Sequence, residues 1–249
     1  LRWCQKLYNG AAKIGVTSPA FQDYLHEICL VPRENITYLP QHGEDMLRWG
    51  SLEATDNGVT DFVFMGNVGV AQDLENVARA VSLIHTAQPF LVHIVGIGPD
   101  LEHLKQTVAQ LGVEDHFRFH GRHPLEKMPD FYRLADGCLL TLYADNAAGL
   151  TIPGKLQGPV WLRESDPATT RAMKPPPVCM AGGGGSGGGP PGGGKPEELA
   201  EIMTRFMEQP SQAAQMGKRG REYFEKHFSL DIFTAQLERQ LEELCPKRG

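Results

Sequence analysis

Apolar residues occur along the chain in two alternating patterns, short continuous runs and longer stretches with helical spacing. Near the start, residues 14–17 and 36–39 are apolar runs of strand length, and residues 19–30 show helical spacing behind Ser18. Serine is favoured as a helix N-cap and proline, here Pro19, at the first helical position. Residues 41–60 are polar and show neither the helical spacing nor the strand-like runs of apolar residues. The pattern therefore predicts a small β-α-β unit over residues 1–45 and a hinge over residues 46–60.

A second and longer series of the same patterns begins at residue 61. It predicts a helix from Asp73, a helix capped by Asp100 and a helix near residues 125–134, and it predicts strands at residues 61–65, 90–95, 117–119 and 138–143. Successive β-α units are typical of a doubly wound parallel sheet that binds ligands at the carboxyl ends of its strands. We therefore predict an α/β fold in which residues 61–249 form a Rossmann-like domain ending in helices over residues 197–244.

Residues 158–195 interrupt this domain with an abnormal composition. These 38 positions hold 11 of the 28 glycines and 7 of the 18 prolines. Without an apolar face to bury, nothing offsets the entropy of ordering, so we predict irregular or disordered structure there. A natural flexible linker is one explanation. A frameshift in GC-rich coding DNA is the other, and we favour it because GC-only codons specify Gly, Pro, Ala and Arg.

Charge and cysteine content narrow the class of protein. The net charge is -6, from 24 Lys+Arg and 30 Asp+Glu, so the basic footprint of a nucleic-acid-binding protein is missing. No apolar run approaches the roughly 20 residues of a membrane span, and the first residues do not resemble a signal peptide. Five scattered cysteines argue against a disulfide framework or a zinc site. We expect a cytosolic chain, truncated before Leu1.

Glycine-rich turns follow the first two strands of the second series. Residues 66–69 read Gly-Asn-Val-Gly and residues 96–98 read Gly-Ile-Gly, each between a strand and a helix. Glycines there let backbone N–H groups approach an anion at a helix N-terminus, where the helix dipole favours phosphate. Tight turns without a ligand explain the same residues, and both interpretations stay open. A dinucleotide fingerprint would need a third glycine in place of Leu101, so NAD is not supported.

Residues 149–156 nearly match the spacing of a phosphate-binding P-loop. Leu156 stands where such a loop holds magnesium through Ser or Thr, and Pro153 removes a backbone donor, so a true P-loop is not expected. Lys155 is either a single positive charge for a diphosphate or a solvated surface lysine.

Three histidines, His116, His120 and His123, raise the question of a metal site. On one strand, His116 and His120 would share a face but stand about 13 Å apart at roughly 3.3 Å per residue, too far to hold one ion. The sequence also contains no H-E-x-x-H and no G-x-S-x-G, so zinc-protease and α/β-hydrolase chemistry have no support. We predict no metal.

Several motifs occur in a fixed order along the chain. They are Gly66-Asn67-x-Gly69-x-Ala71-Gln72 and Gly96-x-Gly98 after strands, Phe117-x-Phe119-x-Gly121, Ala135-Asp136 before a strand, and Thr151-Ile152-Pro153-x-Lys155-Leu156-Gln157. This order resembles the C-terminal half of GT-B glycosyltransferases of family 4, with the bacterial enzymes of capsule, O-antigen and colanic acid synthesis as the closest subgroup. Thr17-Ser18-Pro19-x-Phe21 and Leu39-Pro40-Gln41 resemble the end of the family's N-terminal domain. The likeness covers about residues 14–157 and 196–245.

The resemblance implies an enzyme that takes a nucleotide-sugar donor, UDP-linked, and transfers the sugar to a cell-surface polysaccharide or lipid-linked acceptor. Residues 1–45 would be the remnant of the acceptor domain. The family's donor-binding residues carry over as Gly66 and Asn67 by the diphosphate, Gly96 and Gly98 in the nucleotide pocket, the backbone at Arg122 by the base, and Thr151, Pro153 and Lys155 facing the diphosphate and sugar. No cofactor, no metal and no nameable catalytic base are implied. The enzyme would be cytoplasmic, with peripheral association at the inner face of the cell membrane.

The sequence also departs from the family pattern. Val70 stands where many members have a basic residue, Gly158 falls at or next to the second acid of the paired-glutamate motif, and the ribose-binding acid should lie in the Gly/Pro-rich segment. Two other classes therefore stay open, a non-catalytic nucleotide-binding α/β module and a sugar-nucleotide epimerase-like or other GT-B enzyme. Because most of the acceptor domain is missing, we expect weak nucleotide binding and no glycosyl transfer by this chain alone.

Overall fold

The computed structural model describes residues 2–43, 57–142, 178–182, 195–212, 215 and 226–245. The described residues form two parallel sheets and the helices around them. The strands are β1 (Ile14–Val16), β2 (Ile36–Tyr38), β3 (Thr60–Met65), β4 (Phe90–Val95), β5 (Phe117–Gly121), β6 (Gly137–Leu142) and β7 (Val178–Gly182). The helices are α1 (Arg2–Asn9), α2 (Pro19–Glu27), α3 (Leu74–Leu83), α4 (Leu101–Leu111), α5 (Met128–Leu134), α6 (Pro196–Glu208) and α7 (Leu230–Leu244).

The larger sheet has five parallel strands in the order β5-β4-β3-β6-β7. The chain enters at β3, moves outward through β4 to β5, and then returns to the other side of β3 for β6 and β7. The direction of winding thus reverses between β3 and β6. Such a reversal opens a crevice at the carboxyl ends of the two strands, which is where doubly wound sheets bind ligands. The predicted α/β doubly wound fold is confirmed.

The two faces of this sheet have different chemistry. One face carries the main core, in which Phe62, Phe64 and Ile94 are fully buried beneath α3, α4 and α6. Leu199 and Met203 of α6 are also fully buried there. The opposite face packs against α5, and its buried apolar cluster is smaller. Burial on both faces explains why β3 and β4 read as continuous apolar runs.

The predicted strands of the larger sheet match the observed ones to within two residues at each end, because buried parallel strands leave a strong apolar signal. The expectation of irregular structure throughout residues 158–195 is wrong for residues 178–182. This short run, Val-Cys-Met-Ala-Gly, pairs with β6 along its whole length. Pairing with β6 satisfies the backbone hydrogen-bonding groups of this run. The run is too short to be recognised as a strand within a Gly/Pro-rich segment. Apart from residues 178–182 and Lys195, that segment lies outside the described residues.

Two smaller expectations are also corrected. Asp100 occupies the N-cap position of α4, but its side chain makes no capping hydrogen bond. Its carbonyl accepts instead from Leu104 N at 2.9 Å. His116 does not lie on a strand, because it ends a 3-10 turn before β5, and its ring stacks on Phe90 with centroids 4.2 Å apart. The strand spacing used to separate His116 from His120 therefore does not apply.

The N-terminal unit has the predicted order of strand, helix and strand, preceded by α1. The Ser18 hydroxyl accepts from Phe21 N at 3.4 Å, which confirms it as the N-cap of α2. A small core of Val16, Leu25, Cys29, Val31 and Ile36 fills the unit. Trp3 and Leu7 of α1 remain 84% and 73% exposed, so apolar surface of this unit is left uncovered.

Helix α7 at the end of the chain contacts the N-terminal unit. Gln240 Nε2 donates to Thr37 Oγ1 at 3.1 Å, and Lys13 pairs with Glu243 at 3.4 Å. Just before the helix, Phe228 O accepts from Gly43 N at 3.1 Å. The C-terminus of the chain therefore returns to the first sheet. The predicted hinge at residues 46–60 lies mostly outside the described residues, which resume at Asn57.

Leu199→Ala should lower the free energy of unfolding by about 2–5 kcal/mol, because it removes a fully buried side chain of α6 from the main core. Urea denaturation followed by circular dichroism measures the change. Ile202→Ala on the same helix is the matched control, since Ile202 is 37% exposed and should cost clearly less. Equal losses for the two variants would contradict the observed packing of α6.

Candidate functional site

Two glycine-containing loops meet at the carboxyl ends of β3 and β4. Backbone hydrogen bonds join them, from Gly66 N to Val95 O at 2.8 Å and from Val68 N to Ile97 O at 3.0 Å. Asp100 N donates to Val68 O at 3.1 Å. The two loops are therefore extensions of the strand ladder beyond the end of the sheet.

At two positions, the backbones of the two loops are so close that only glycine fits. A Cβ atom added at Gly96 would lie 1.8 Å from Gly66 O, and one added at Gly98 would lie 2.0 Å from Val68 O. The atoms in the way are backbone atoms, which cannot rotate aside. Of the two interpretations of residues 96–98, the tight-turn one thus accounts for both glycines, whether or not a ligand binds.

The loop after β3 presents residues at the open edge and buries others. Asn67 is exposed and Gly66 half-buried, whereas Val68 is fully buried. The Gln72 side chain accepts from Gly69 N at 3.2 Å. The Thr141 hydroxyl of β6 donates to Gln72 O, which ties this loop to the far side of the crevice. Gly66 and Asn67 are thus the parts of the loop that a ligand in the crevice can reach.

Helix α3 starts directly behind this loop. Asp73 precedes it in the left-handed conformation, with φ 47° and ψ 46°, and Asn76 N donates to Asp73 O at 3.2 Å. Glu75 lies in the first turn of this helix. Hydrogen bonds from Arg79, the larger effect, and from His103 lower its pKa. The N-terminus of a ten-residue helix favours an anion through its dipole.

The exit of β5 adjoins the same loops. Gly96 N donates to Gly121 O at 2.7 Å, and Gly121 has φ 70°. The exposed Arg122 follows directly. The structure therefore brings Gly66, Asn67, Gly96, Gly98 and the Arg122 backbone to one edge of the sheet. The other predicted site residues, Thr151, Pro153 and Lys155, lie outside the described residues.

A polar network on the α5 face of the sheet was missed by the sequence analysis. His93 Nε2 lies 2.8 Å from Asp61 Oδ1, and His93 Nδ1 lies 2.8 Å from His120 Nε2. Asn57 Nδ2 donates to Asp61 Oδ2 at 2.8 Å. The available signal was a polar residue at an inward position of each of two otherwise apolar strands. We name Asp61, His93 and His120 the Asp–His–His network.

The surroundings of the network favour the neutral form of His120. Burial lowers the pKa of His120, and the proximity of His93 and His123 lowers it further. Burial also raises the pKa of the nearby Tyr132 phenol on α5. Among the described residues, no group of three or more His, Cys, Asp or Glu side chains is arranged to hold a metal ion.

A surface cleft of about 500 Å³ lies on the helix layer between α3 and α6. Leu83 forms one wall, and Glu197, Glu201 and Glu208 line the other. The cleft includes none of the strand-edge residues described above. Its acidic lining makes it a poor place for a phosphate group, so the strand edge remains the candidate site.

Comparison with known proteins identifies a related family for part of the chain. Residues 53–152 match the family model described as Glycosyl transferases group 1. This span contains β3 to β6 and the loops that follow β3, β4 and β5. No curated protein matches the chain.

Solved structures with this fold include Alr3699/HepE from Anabaena in complex with UDP and glucose, at a TM-score of 0.70 and 16% identity over 97% of this chain and 66% of that one. A glycosyltransferase from Rickettsia africae matches at a TM-score of 0.71 and 13% identity, over 99% and 68% of the two chains. Sucrose-phosphate synthase from Thermosynechococcus elongatus matches at 0.71 and 16%, over 96% and 60%. The chain thus spans about two thirds of the length of these proteins, and it has the Rossmann-like fold of GT-B glycosyltransferases, as the resemblance implies.

Gly98→Ala should lower the free energy of unfolding by about 1–3 kcal/mol, the usual cost of overpacking. The new methyl group would meet the Val68 backbone, so the two loops would have to separate. Thermal denaturation measures the change. Gly69→Ala is the matched control in the facing loop, because its methyl group would meet only the movable amide ends of Asn67 and Gln72. A Gly98→Ala variant as stable as the Gly69→Ala variant would show that the loop crossing is not rigid.

Proposed function

We propose that this chain binds the nucleotide-sugar donor of a glycosyltransferase and belongs to an enzyme that transfers the sugar to an acceptor. The observation that carries the proposal is the crossing of the loops after β3 and β4 beside the point where the sheet reverses its winding. Residues 53–152, which match the glycosyltransferase family model, contain this crossing. A doubly wound sheet binds its ligand at that point.

The proposed diphosphate position is the edge formed by Gly66 and Asn67, in front of α3. Exposed backbone at this edge and the α3 dipole favour an anion without any metal or cofactor. Lys155 would add one positive charge, with Thr151 and Pro153 beside the sugar. Gly96 and Gly98 would line the nucleotide pocket, and the Arg122 backbone would meet the base.

We propose uridine diphosphate as the nucleotide. Support comes from the neighbour Alr3699/HepE, whose structure was determined with UDP and glucose. In such a transfer the bond between the anomeric carbon and the diphosphate breaks, and the acceptor hydroxyl loses its proton as it bonds to that carbon. Groups that stabilise the departing diphosphate therefore act on the step where its negative charge develops.

For the acceptor we propose a cell-surface polysaccharide precursor or a lipid-linked saccharide. This follows from the resemblance of the ordered motifs to the family 4 enzymes of capsule and O-antigen synthesis. The proposed place of action is the cytoplasm, at the inner face of the cell membrane. Within the described part of the chain, no helix is both long enough and apolar enough to cross a membrane.

UDP-sugars should raise the melting temperature of the purified chain more than GDP-sugars, ADP-sugars or NAD do. A ligand at 100 times its Kd stabilises the native state by about 2.7 kcal/mol. Thermal denaturation of the chain with UDP-glucose and UDP-N-acetylglucosamine measures the shift. A response to NAD alone would instead favour a different nucleotide-binding module, and no response to any nucleotide would contradict the proposal.

Lys155→Ala should weaken UDP-sugar binding by roughly 1–3 kcal/mol, the range for a hydrogen bond to a charged group. Isothermal titration calorimetry gives the change in Kd. Lys105→Ala is the matched control, because Lys105 is an exposed α4 lysine whose ammonium group pairs with Glu102. If the two variants bind UDP-sugars equally well, Lys155 is a solvated surface lysine.

A further inference from the structure

The Asp–His–His network buries polar groups that the proposed donor site does not account for. Asp61 is 1% exposed and His93 is 5% exposed, and Val63, Val95 and Cys138 form an apolar cluster on the same face. Burying a carboxylate is costly unless hydrogen bonds replace its contacts with water. Here both carboxylate oxygens of Asp61 have partners, Asn57 and His93. The network is therefore fully hydrogen-bonded at its buried end.

With Asp61 ionised and both rings neutral, these contacts allow one arrangement of the protons. An ionised carboxylate only accepts, so Nε2 of His93 carries the proton that it donates to Asp61 Oδ1. In a neutral ring, Nδ1 of His93 then accepts, and Nε2 of His120 is the donor. The ring planes of the two histidines are 17° apart. In that arrangement each imidazole carries its proton on Nε2.

The network ends at an irregularity in the sheet. Ile94 of β4 pairs with Phe119 of β5, but Val95 pairs with Gly121, so His120 is the extra residue of a β-bulge. A bulge re-aims a side chain and bends its strand, and bulges are common beside active sites. In the observed register, His120 makes its hydrogen bond to His93 from this extra position.

The bulge is also held from its other side. His123 Nε2 lies 3.1 Å from His120 O and donates to it. The rings of His120 and His123 both meet the edge of Phe131 on α5, with centroids 5.1 and 4.9 Å away. Gly96 N donates to Gly121 O at 2.7 Å. The backbone from residue 120 to residue 123 is thus fixed by the network, by α5 and by the glycine loop after β4.

We propose that the Asp–His–His network is a positioning device for the nucleobase end of the donor pocket, an inference that rests on the proposed function. It sets the β5 bulge, and the bulge sets the backbone of Gly121 and Arg122. A diphosphate at the end of β3 is two strands away from this backbone, roughly 10 Å at about 4.8 Å per strand. A nucleoside attached to the diphosphate spans that gap. The network therefore acts on the base and leaves the diphosphate contacts unchanged.

A buried polar network can fix the position of a strand end because its hydrogen bonds form only over a narrow range of distances and angles. Apolar packing tolerates small slips of a strand, whereas hydrogen bonds between buried groups favour a single arrangement. Displacement of His120 would leave Nδ1 of His93 without its donor in a buried site. The penalty for that loss keeps the bulge, and the exposed backbone after it, in one conformation.

The test compares UDP with inorganic pyrophosphate as ligands of the whole chain. His120→Phe keeps an aromatic ring against Phe131 but removes the donor to His93. It should weaken UDP binding roughly tenfold, as expected for one lost positioning hydrogen bond, and should change pyrophosphate binding less than about twofold. His120→Gln retains an amide donor and should restore most of the UDP affinity. Isothermal titration calorimetry provides both affinities.

His116→Phe is the matched control on the same segment. His116 contacts Phe90 through its ring and the Phe90 carbonyl through Nδ1, outside the network. It should leave the ratio of UDP to pyrophosphate affinity unchanged. An unchanged ratio in a folded His120→Phe variant, or the same loss in His116→Phe, would overturn the inference while leaving the proposed function intact.

The wild-type protein offers an independent measurement if His120→Phe fails to fold. Nitrogen-15 NMR of the histidine rings should show His93 and His120 as Nε2–H tautomers, and UDP should slow amide hydrogen exchange at Gly121 and Arg122 more than pyrophosphate does. A protonated Nδ1 in neutral His93, or equal protection by the two ligands, would count against the network as a positioning device. A wild-type chain that binds pyrophosphate but not UDP would refute the proposed function and this inference with it.

Discussion

The crossing of two backbone loops without room for a side chain is the constraint on which the candidate site depends. Gly96 and Gly98 lie against the carbonyl groups of Gly66 and Val68 at distances that exclude any Cβ atom. The crossing carries the β3–β4 ladder past the end of the sheet. It also sets where α3 and α4 begin, since each helix follows one of the two loops. A local steric requirement thereby determines the form of the whole edge.

The two faces of the five-stranded sheet are held by different interactions. The face beneath α3, α4 and α6 is built from fully buried apolar side chains such as Phe62 and Phe64. Packing of this kind supplies most of the stability of a domain. The face against α5 also contains the polar side chains of Asp61, His93 and His120. Hydrogen bonds there contribute less net free energy than apolar burial would, but they select one arrangement of the strand ends.

The parts of the fold that depend on burial are predictable from the sequence. Strands β3, β4 and β6 are mainly apolar runs and β5 alternates apolar with polar residues. Their parallel order follows from the helices between them. Strand β7 was missed because its five residues depend on pairing with β6 rather than on a pattern of their own. The network was missed for a related reason. Asp61 precedes the apolar residues of β3, and His93 is a single polar residue inside β4. Only the register of β3, β4 and β5 shows that they meet.

For the candidate site, the sequence predicted the glycine loops but not why their glycines are required. The resemblance implies a place for Gly96 and Gly98 in a nucleotide pocket, whereas the fold requires both glycines for a steric reason that holds without a ligand. The two accounts are compatible, because loops that cross at backbone contact also leave backbone N–H groups exposed at the edge. A residue can therefore match a binding motif and be needed first for the fold.

The three loop regions at the strand edge act as one unit because hydrogen bonds join them in series. Gly66 N bonds to Val95 O, and Gly96 N bonds to Gly121 O. The loop after β4 is thus the middle member between the proposed diphosphate end at Gly66 and the proposed base end at Arg122. A further hydrogen bond lies behind each end. Thr141 of β6 donates to Gln72 O behind the diphosphate end, and His120 bonds to His93 behind the base end. Within the described residues, the backbone at residues 96–98 joins the two ends, and the close contacts of Gly96 and Gly98 leave it little freedom to move.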